Sequence, residues 1–560
     1  MKKKLIKLLA IVLTVVLGGV GCSKDKNGNL NESQIVDEYN IQKSDYIHLT
    51  MIFPETINPI LNKNKSVGYI MNLVYDGLFD IDEDYNIKPS LVDKYSVSSD
   101  GKTVSISLNS NAKWHNNEKV TSGDVDFTVK LIKKNSESPY ATLVENIKSI
   151  NILDSKNFTI SLKENDPFIL DKLTFPIISK NKMEKLKGAE ISEFKNNFIG
   201  NGPYTIKKYE DRQYIILERN EDYFGDLPEN RKEIYVKMVP DKESQTEMVL
   251  ALDSDIANIT LADLSKFEGK KEFNITKYEG RDYEMVMFNY ENEYLNDANF
   301  RKAIISSIDR EKLIKEAYVG NATISNFPLN TKSRYYNSNI KGLSYDKDKA
   351  LEYLVKGLKS IDETLDEKNK GEDKEINPEE LKGIVEDNAT KSETTSELTK
   401  KEIKEMLKDV ELKIVVSENN GERIKVAQII KESLARIGIN SVINELNEKD
   451  LTKSLDSKDY DLAVVGYSLS SIPDARYILN ECNINDKKLS TYITNLGNST
   501  SEDETKKIYG QIQKYVVEKG SFISLGILDN FVVFSKRLEG NIHPNDFDIY
   551  KGISNLQMSK

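Results

Sequence analysis

Histidine and cysteine are scarce in this chain, and their placement excludes the common metal sites. The three histidines, His48, His115 and His543, lie far apart in the sequence and far from Cys22 and Cys482. Zinc centres need such side chains at short spacings, so no zinc site is predicted. The sequence also lacks the H-E-x-x-H, phosphate-loop and G-x-G-x-x-G signatures. No cofactor is therefore expected.

A serine-rich stretch comes nearest to an enzyme motif. Gly466-Tyr467-Ser468-Leu469-Ser470 follows an apolar run that predicts a buried strand over Leu462 to Val465, opening into a loop at Gly466. A nucleophile elbow needs G-x-S-x-G, because both glycines relieve crowding at a strained turn, and the second glycine is replaced by Ser470. The only downstream histidine is His543, in a predicted turn. We expect a ligand-holding loop and no enzyme.

The charge balance argues against nucleic acid as a partner. The net charge is −11 over 560 residues, and 30% of the residues are charged. A nucleic-acid-binding chain usually carries a basic surface that neutralises phosphates. The acidic balance is best explained by solubility.

The first residues predict export and a lipid anchor. Lys2 to Lys4 form a basic region, and Leu8 to Val20 carry no charge, which is typical of a signal peptide and too short to span a bilayer. The run ends at Gly19-Val20-Gly21-Cys22, which resembles a bacterial lipobox with Gly19 at the usual leucine position. We predict a signal peptide over 1–21, a lipid on Cys22 and a tether over 22–45. The protein would then sit on the outer face of the cytoplasmic membrane.

The remaining chain alternates strand and helix patterns without a fixed repeat, which predicts an α/β fold. Strands are expected at Tyr46–Phe53, Lys102–Leu108, Gln213–Glu218, Glu233–Val239 and Ser441–Leu446. Helices are expected at Ser66–Phe79, Thr121–Lys134 and Glu422–Ile437, the last one stopped by Gly438. Residues 358–410 are unusually charged and predict an exposed, partly helical insertion.

The order of several motifs resembles the extracytoplasmic solute-binding proteins of ABC importers, family 5, of the oligopeptide- and dipeptide-binding type. The resemblance runs from about Tyr46 to Ile549. It rests on "INPI", "VYDGLF", "SVSSDGKTVSISLNSNAKWHNNEKVTSGDVDFT", "GNGPYTI", "LERNEDYF" and "FNYENEYLNDANFRKAIISSIDREKLI" in that order.

The resemblance implies a two-lobed periplasmic-binding-protein-like fold (class II) with an extra domain on the first lobe. The implied division is 46–66, 196–275 and 518–560 for lobe I, 67–195 for the extra domain and 276–517 for lobe II. It further implies a monomer that captures a peptide or peptide-like solute between closing lobes and delivers it to membrane permease subunits.

The resemblance also implies a binding site. The backbone from Val465 through Gly466 and Tyr467 to Ser468 would pair with the ligand's main chain. Ser470 stands where relatives hold the peptide's ammonium with an aspartate, and Val464 stands at a frequent arginine position, so both charged anchors are missing. The other implied contacts are Tyr140 and the rim residues Lys63, Asn64 and Lys65, whose two lysines would favour an anionic ligand.

Other functions stay open at this point. A protein of this kind could be a surface receptor for a signalling peptide, with the charged insertion docking a partner. It could bind a non-peptide solute such as a metal chelate. An adhesin or surface antigen would need no ligand.

Overall fold

The computed structural model describes residues 46–186, 190–191, 194, 198–227, 233–371 and 400–559. The predicted signal peptide, the lipid-bearing Cys22 and the tether lie outside these residues. Within the described part of the chain, no helix combines the length and apolar character needed to cross a membrane. Residues 47–560 group as one compact unit.

The secondary structure is a mixture of strands and helices, numbered here along the described chain. The strands are β1 (Tyr46–Ile52), β2 (Phe79–Ile81), β3 (Ile87–Pro89), β4 (Val92–Val97), β5 (Thr103–Leu108), β6 (Ile147–Ile152), β7 (Asn157–Leu162), β8 (Tyr204–Glu210), β9 (Tyr214–Arg219), β10 (Glu233–Val239), β11 (Ile256–Ile259), β12 (Phe273–Phe288), β13 (Ala322–Thr323), β14 (Glu411–Ser417), β15 (Asn440–Leu446), β16 (Leu462–Ser468), β17 (Ile523–Ser535), β18 (Leu538–Glu539) and β19 (Gln557–Met558). The helices are α1 (Lys65–Met71), α2 (Ser122–Lys134), α3 (Lys180–Met183), α4 (Lys242–Leu250), α5 (Leu261–Leu264), α6 (Glu293–Asn296), α7 (Ala298–Ser307), α8 (Arg310–Ala317), α9 (Lys347–Gly371), α10 (Lys400–Met406), α11 (Gly421–Arg436), α12 (Glu448–Asp456), α13 (Arg476–Glu481), α14 (Lys487–Asn498) and α15 (Glu502–Lys519), with 3₁₀ turns at Ala141–Val144, Leu170–Lys172 and Ile553–Asn555.

Two four-stranded sheets share one apolar core. One has the order β1-β10-β9-β8 and the other β4-β5-β7-β6. Alternate residues of β5 (Val104, Ile106 and Leu108) point into this core, as the sequence pattern predicted. Trp114, the only tryptophan, packs there with 2% of its surface exposed and donates from Nε1 to Asp124 Oδ2 at 3.4 Å.

A larger sheet of the order β11-β17-β12-β16-β14-β15 carries the second half of the fold. Strand β16 places Leu462 and Val464 in one apolar cluster and Ala463 and Val465 in another, so both faces of the sheet are covered. Such double burial is typical of a sheet with parallel strands, and β14 pairs in parallel with both β15 and β16.

The two longest strands, β12 and β17, run through both halves of the molecule. They pair antiparallel from Phe273 onward, but the register shifts between Glu279 and Tyr283. Gly280 lies in this irregularity, where an added Cβ would come within 2.7 Å of Asn530 Nδ2 and of the Leu528 carbonyl. An interrupted ladder of this kind lets a strand bend locally.

Several element boundaries differ from the prediction. The helix expected over Ser66–Phe79 ends at Met71, because the Leu73 and Val74 carbonyls accept from the Tyr204, Asn201 and Gly202 amides instead of continuing the helix. The strand expected to end at Val465 continues to Ser468, because β12 pairs with it along its whole length.

Most of the described part of the charged insertion is helical. Helix α9 enters it and buries Leu354, Leu358 and Ile361, and α10 leaves it. Residues 372–399 lie outside the described part of the chain.

Candidate ligand-binding cleft

Predicted site residues from three distant segments line one cavity of about 590 Å³, here called the large cavity. They are Lys63, Asn64, Lys65, Tyr140 and Ser470. Two smaller cavities share lining residues with it. The serine cavity, about 190 Å³, contains Ser468 and Ser470, and the lysine cavity, about 280 Å³, contains Lys65 and Lys242. The tertiary fold therefore gathers most of the predicted residues around connected space.

Strand β16 presents a free edge next to this space. One side pairs with β12 from Leu462 to Ser468, whereas β14 covers only Leu462 and Ala463 on the other side. From Val464 to Ser468, no described strand pairs with that second side. Unpaired backbone amides and carbonyls are a ready template for an added strand.

A buried ion pair lies beside Gly466. Glu284, 2% exposed, accepts from Arg423 Nε and Nη2 at 2.8 Å each and from the Tyr318 hydroxyl at 3.1 Å. A Cβ on Gly466 would come within 1.9 Å of Arg423 Nη2 and 2.4 Å of Glu284 Oε1. A side chain at this point of the strand would therefore have to displace the Arg423–Glu284 pair. Nothing in the local sequence of Glu284 or Arg423 indicates that they meet.

Arg281 connects the register break of β12 to the serine stretch. Its Nη1 donates to the Leu469 carbonyl at 2.9 Å, and its Nε donates to Asp546 Oδ2 at 3.3 Å. The guanidinium also stacks over the Phe547 ring at 4.4 Å. Asp546 Oδ1 accepts from Asn530 Nδ2 at 2.6 Å. Both carboxylate oxygens of Asp546 are therefore hydrogen-bonded, and Arg281 balances its charge. Sequence reasoning missed this cluster, whose members are far apart along the chain.

The two rim lysines differ in their surroundings. Lys63 Nζ pairs with Glu137 Oε2 at 2.6 Å, and the two side chains are 58% and 84% exposed. Asn64 caps α1 by accepting from the Ser66 amide at 2.9 Å, which fixes Lys65 at the start of the helix. Among described residues, no carboxylate oxygen lies within 4.0 Å of Lys65 Nζ. Lys65 is therefore the rim cation that remains available to a ligand.

Tyr140 and Tyr467 are placed differently. Tyr140 lines the large cavity with its ring 6.3 Å from Phe175, and burial raises the pKa of its phenol to about 12. The Tyr467 hydroxyl donates to Met287 Sδ at 3.5 Å, and its ring meets Tyr477 edge-on at 6.0 Å. Val465 shares the apolar cluster against which Tyr467 packs, and neither residue lines the three cavities. Their contribution to a ligand would come from the backbone.

The loop around Ser470 carries few charged groups that a ligand could use. Ser470 Oγ accepts from the Ile472 amide at 3.1 Å. Asp474, the nearest acid in sequence, is held by Arg476 in a two-point contact of 2.8 and 2.6 Å. Val464 is buried in an apolar cluster. The loop around Ser470 therefore contains no uncompensated carboxylate.

The histidines are not assembled into a metal site. His115 is tied by its ring nitrogens to the Gly200 amide and the Gly202 carbonyl, and burial lowers its pKa to about 4. In the described part of the chain, no group of three His, Cys, Asp or Glu side chains could hold a metal ion.

The two-lobed fold and its lined cleft define a solute-binding protein. The family described as "Bacterial extracellular solute-binding proteins, family 5 Middle" matches residues 86–488, and the chain belongs to this family. This confirms the predicted family, the two-lobed fold and an extracytoplasmic location. Proteins of this family bind solutes and are not enzymes, so the expectation of a non-enzyme is confirmed as well.

Relatives with known names agree with the family. Oligopeptide-binding protein AppA of Bacillus subtilis (strain 168) is 22% identical over 571 residues, covering 98% of either chain. The crystal structure of the ABC transporter substrate binding protein CtaP from Listeria monocytogenes matches 92% of this chain and 99% of that chain with a TM-score of 0.69 at 21% identity. The structure of AppA from Bacillus subtilis in complex with a nonapeptide matches 92% of this chain and 99% of that chain, with a TM-score of 0.56 at 21% identity.

Proposed function

We propose that this protein is the lipid-anchored, peptide-binding component of an ABC importer. It captures a peptide or peptide-like solute in the cleft and delivers it to a membrane permease. The observation that carries the proposal is the free edge of β16 from Val464 to Ser468, which ends at the serine cavity that Ser468 lines. Strand addition recognises a peptide by its main chain, and it tolerates many side chains.

The division into lobes supports capture by closure. The predicted boundary near residue 275 lies close to the register shift between Glu279 and Tyr283, where β12 can bend. The ligand would be enclosed when the two halves rotate about this break. The proposed division remains 46–66, 196–275 and 518–560 against 276–517, with 67–195 as the extra domain.

Native mass spectrometry of the mature protein, purified gently from its host and then denatured, tests peptide binding. We expect adducts that are released on denaturation and fragment as peptides. A released solute without peptide bonds would contradict the proposal, as would failure of every peptide pool to bind the emptied protein.

The missing ammonium anchor predicts a gain of function. Ser470→Asp should strengthen binding of peptides with a free amino terminus at least tenfold, because a charge-assisted hydrogen bond contributes about 1.5–3 kcal/mol. N-acetylated versions of the same peptides should bind the variant no better than the unchanged protein. Titration calorimetry measures both, and equal affinities throughout would contradict the assigned position of Ser470.

The lipid anchor has its own test. Cys22→Ser should release the protein into the medium, because the thiol that carries the acyl chains is lost. Mass spectrometry of the N-terminal peptide should show acyl chains on Cys22 in the unchanged protein. An unmodified Cys22 in membrane fractions would contradict the anchor.

A further inference from the structure

The serine cavity has an apolar wall at the point where the free edge of β16 ends. Ser468 is the last residue of that edge and lines the cavity. Leu329, Leu469 and Ile478 line it as well, and all three side chains are buried. A peptide residue that pairs at the Ser468 end of the edge therefore lies beside the cavity and can place its side chain inside it.

Two tyrosines add aromatic surface to this wall. The Tyr85 hydroxyl donates to the Glu279 carbonyl at 2.7 Å, so the ring is the part of Tyr85 that a ligand can contact. Tyr477 also lines the cavity, although 64% of its surface is exposed. An exposed aromatic side chain at the mouth of an apolar cavity can pack against a group that enters it.

The two charged residues of the cavity wall already have partners within the protein. Arg281 forms an ion pair with Asp546 at 3.3 Å, and Asp474 forms one with Arg476 at 2.6 Å. A charged ligand side chain that entered the cavity would lose hydration without gaining an ion partner. The cavity therefore favours an uncharged side chain.

The volume of the cavity sets the size of that side chain. It is about 190 Å³. An apolar cavity of about 150 Å³ lined by leucine, isoleucine and phenylalanine is large enough to bind benzene. A phenyl ring therefore fits, whereas an alanine side chain would leave most of the space unfilled and most of the apolar wall uncovered.

The wall of the large cavity is different. It contains several ionisable side chains, among them Lys65, Asp76, Asp80, Asp548 and Lys551. Ligand side chains of either charge can approach a group of opposite charge there. Selection against charge is therefore expected at the serine cavity and not along the whole cleft.

We propose that the serine cavity is a selective pocket for one uncharged aromatic side chain of the bound peptide, of about the size of phenylalanine. This inference rests on the proposed peptide-binding function and names the class of peptide that the cleft prefers. Main-chain pairing along β16 is indifferent to sequence, so the preference comes from the one ligand residue next to Ser468.

Native mass spectrometry with competing peptides tests the pocket. The emptied mature protein is offered equimolar pools of peptides of about three to nine residues, identical except for one residue that is placed at every position in turn. This residue is phenylalanine, alanine, lysine or glutamate. We expect at least tenfold enrichment of the phenylalanine pool over each other pool, because burial of the ring is favourable and burial of an unpaired charge is not.

A charge placed in the wall should change the preference. Ile472 lines the cavity and is partly buried. Ile472→Glu should transfer the enrichment from the phenylalanine pool to the lysine pool, because the new carboxylate supplies an ion partner. Unchanged binding of the alanine pool shows that the variant is folded. Ile472→Leu is the matched control and should keep the preference for phenylalanine.

A second variant tests the mouth of the cavity without a new charge. Tyr477→Ser removes the exposed ring and should lower the enrichment of the phenylalanine pool at least threefold. Tyr345→Ser is the control, since this tyrosine is 46% exposed and lines none of the three cavities, and it should leave the enrichment unchanged.

The outcomes separate this inference from the proposed function. Enrichment of the phenylalanine pool that moves to the lysine pool in Ile472→Glu supports the pocket. Equal binding of all pools, or phenylalanine enrichment that survives both Ile472→Glu and Tyr477→Ser, overturns the pocket and leaves peptide binding intact. Failure of every pool to bind the unchanged protein overturns both.

Discussion

At the residue scale, the most telling feature is the ion pair under Gly466. Glu284 is almost fully buried, and its carboxylate depends on Arg423 and Tyr318 for compensation. A pair of this kind stabilises the protein little compared with apolar residues, yet breaking it leaves a buried charge without a partner.

We predict that Glu284→Gln lowers the free energy of unfolding by about 3 kcal/mol, because Arg423 keeps its charge in a partly buried site and loses its carboxylate partner. Urea denaturation measures the loss. The exposed pair Lys63–Glu137 provides the control, and Glu137→Gln should leave the urea midpoint unchanged. Equal midpoints for all three proteins would show that the buried pair contributes nothing.

The raised pKa of Asp76 predicts that the stability of the protein depends on pH. Burial raises the pKa of Asp76 from the ordinary value of 3.8 to about 7 in the folded protein. Between these two pH values, the carboxyl is therefore mostly protonated in the folded state and mostly ionised in the unfolded state. Stability of the unchanged protein therefore falls as the pH rises from about 4 to 7. Asp76→Asn removes this loss, and we expect it to be more stable by about 1–2 kcal/mol at pH 8, after allowance for screening by cavity water.

Thermal unfolding across pH 4 to 8 without ligand checks this sign. The advantage of Asp76→Asn should shrink towards pH 4, where both forms of residue 76 are neutral in the folded state. An advantage that is constant with pH would mean that the carboxyl is ionised throughout.

At the element scale, strand β16 combines buried apolar residues at its start with a free edge at its end. The first part is anchored between β12 and β14, and the second part is paired on one side only. Rigid placement of an unpaired edge lets the strand accept a ligand without rearranging itself.

We predict that Gly466→Ala weakens peptide binding at least tenfold and lowers stability by about 1–3 kcal/mol, because the new methyl group displaces Arg423 next to the edge. Calorimetric titration and urea denaturation measure the two effects. Gly421→Ala is the matched control, since nothing lies within 4 Å of a Cβ there. Unimpaired binding by Gly466→Ala would place the ligand elsewhere.

At the scale of the whole molecule, residues far apart in sequence join the predicted extra domain to the second lobe. Arg334 Nη2 donates to both carboxylate oxygens of Asp171 at 2.9 and 2.7 Å, and Asp171 is 1% exposed. Asn165 Nδ2 donates to the Gly497 and Ser499 carbonyls at 3.1 and 2.9 Å. These contacts would hold the cleft closed over a ligand.

We predict that Arg334→Gln weakens ligand binding about tenfold and increases the radius of gyration of the ligand-free protein, because the closed arrangement loses a buried ion pair. Small-angle X-ray scattering and calorimetry measure the two effects. Lys332→Gln is the control, since its pair with Asp84 is 55% and 48% exposed. An unchanged radius together with unchanged affinity would exclude a closing role for Arg334.

Local signals predicted much of the fold. The N-cap residue Thr121 starts a helix where expected, and Gly438, at φ +91°, follows the helix that ends at Arg436. Capping and glycine conformation act over a few residues, so they can be recognised in a single sequence. The helix at Lys65–Met71 was overestimated because the hydrogen bonds that end it come from residues some 130 positions away.

The sequence by itself determined the family, the α/β architecture and most segments that line the cavities, because these depend on periodicity, capping and motif order. Only the tertiary structure decided which charges are compensated. Lys63 forms an ion pair with Glu137, Arg281 with Asp546, and Arg423 with Glu284. Asp76 and Asp548 have no cation in contact among the described residues. The physical reason is that Coulombic pairing depends on distance in space, and a chain brings remote residues within a few ångströms only when it folds.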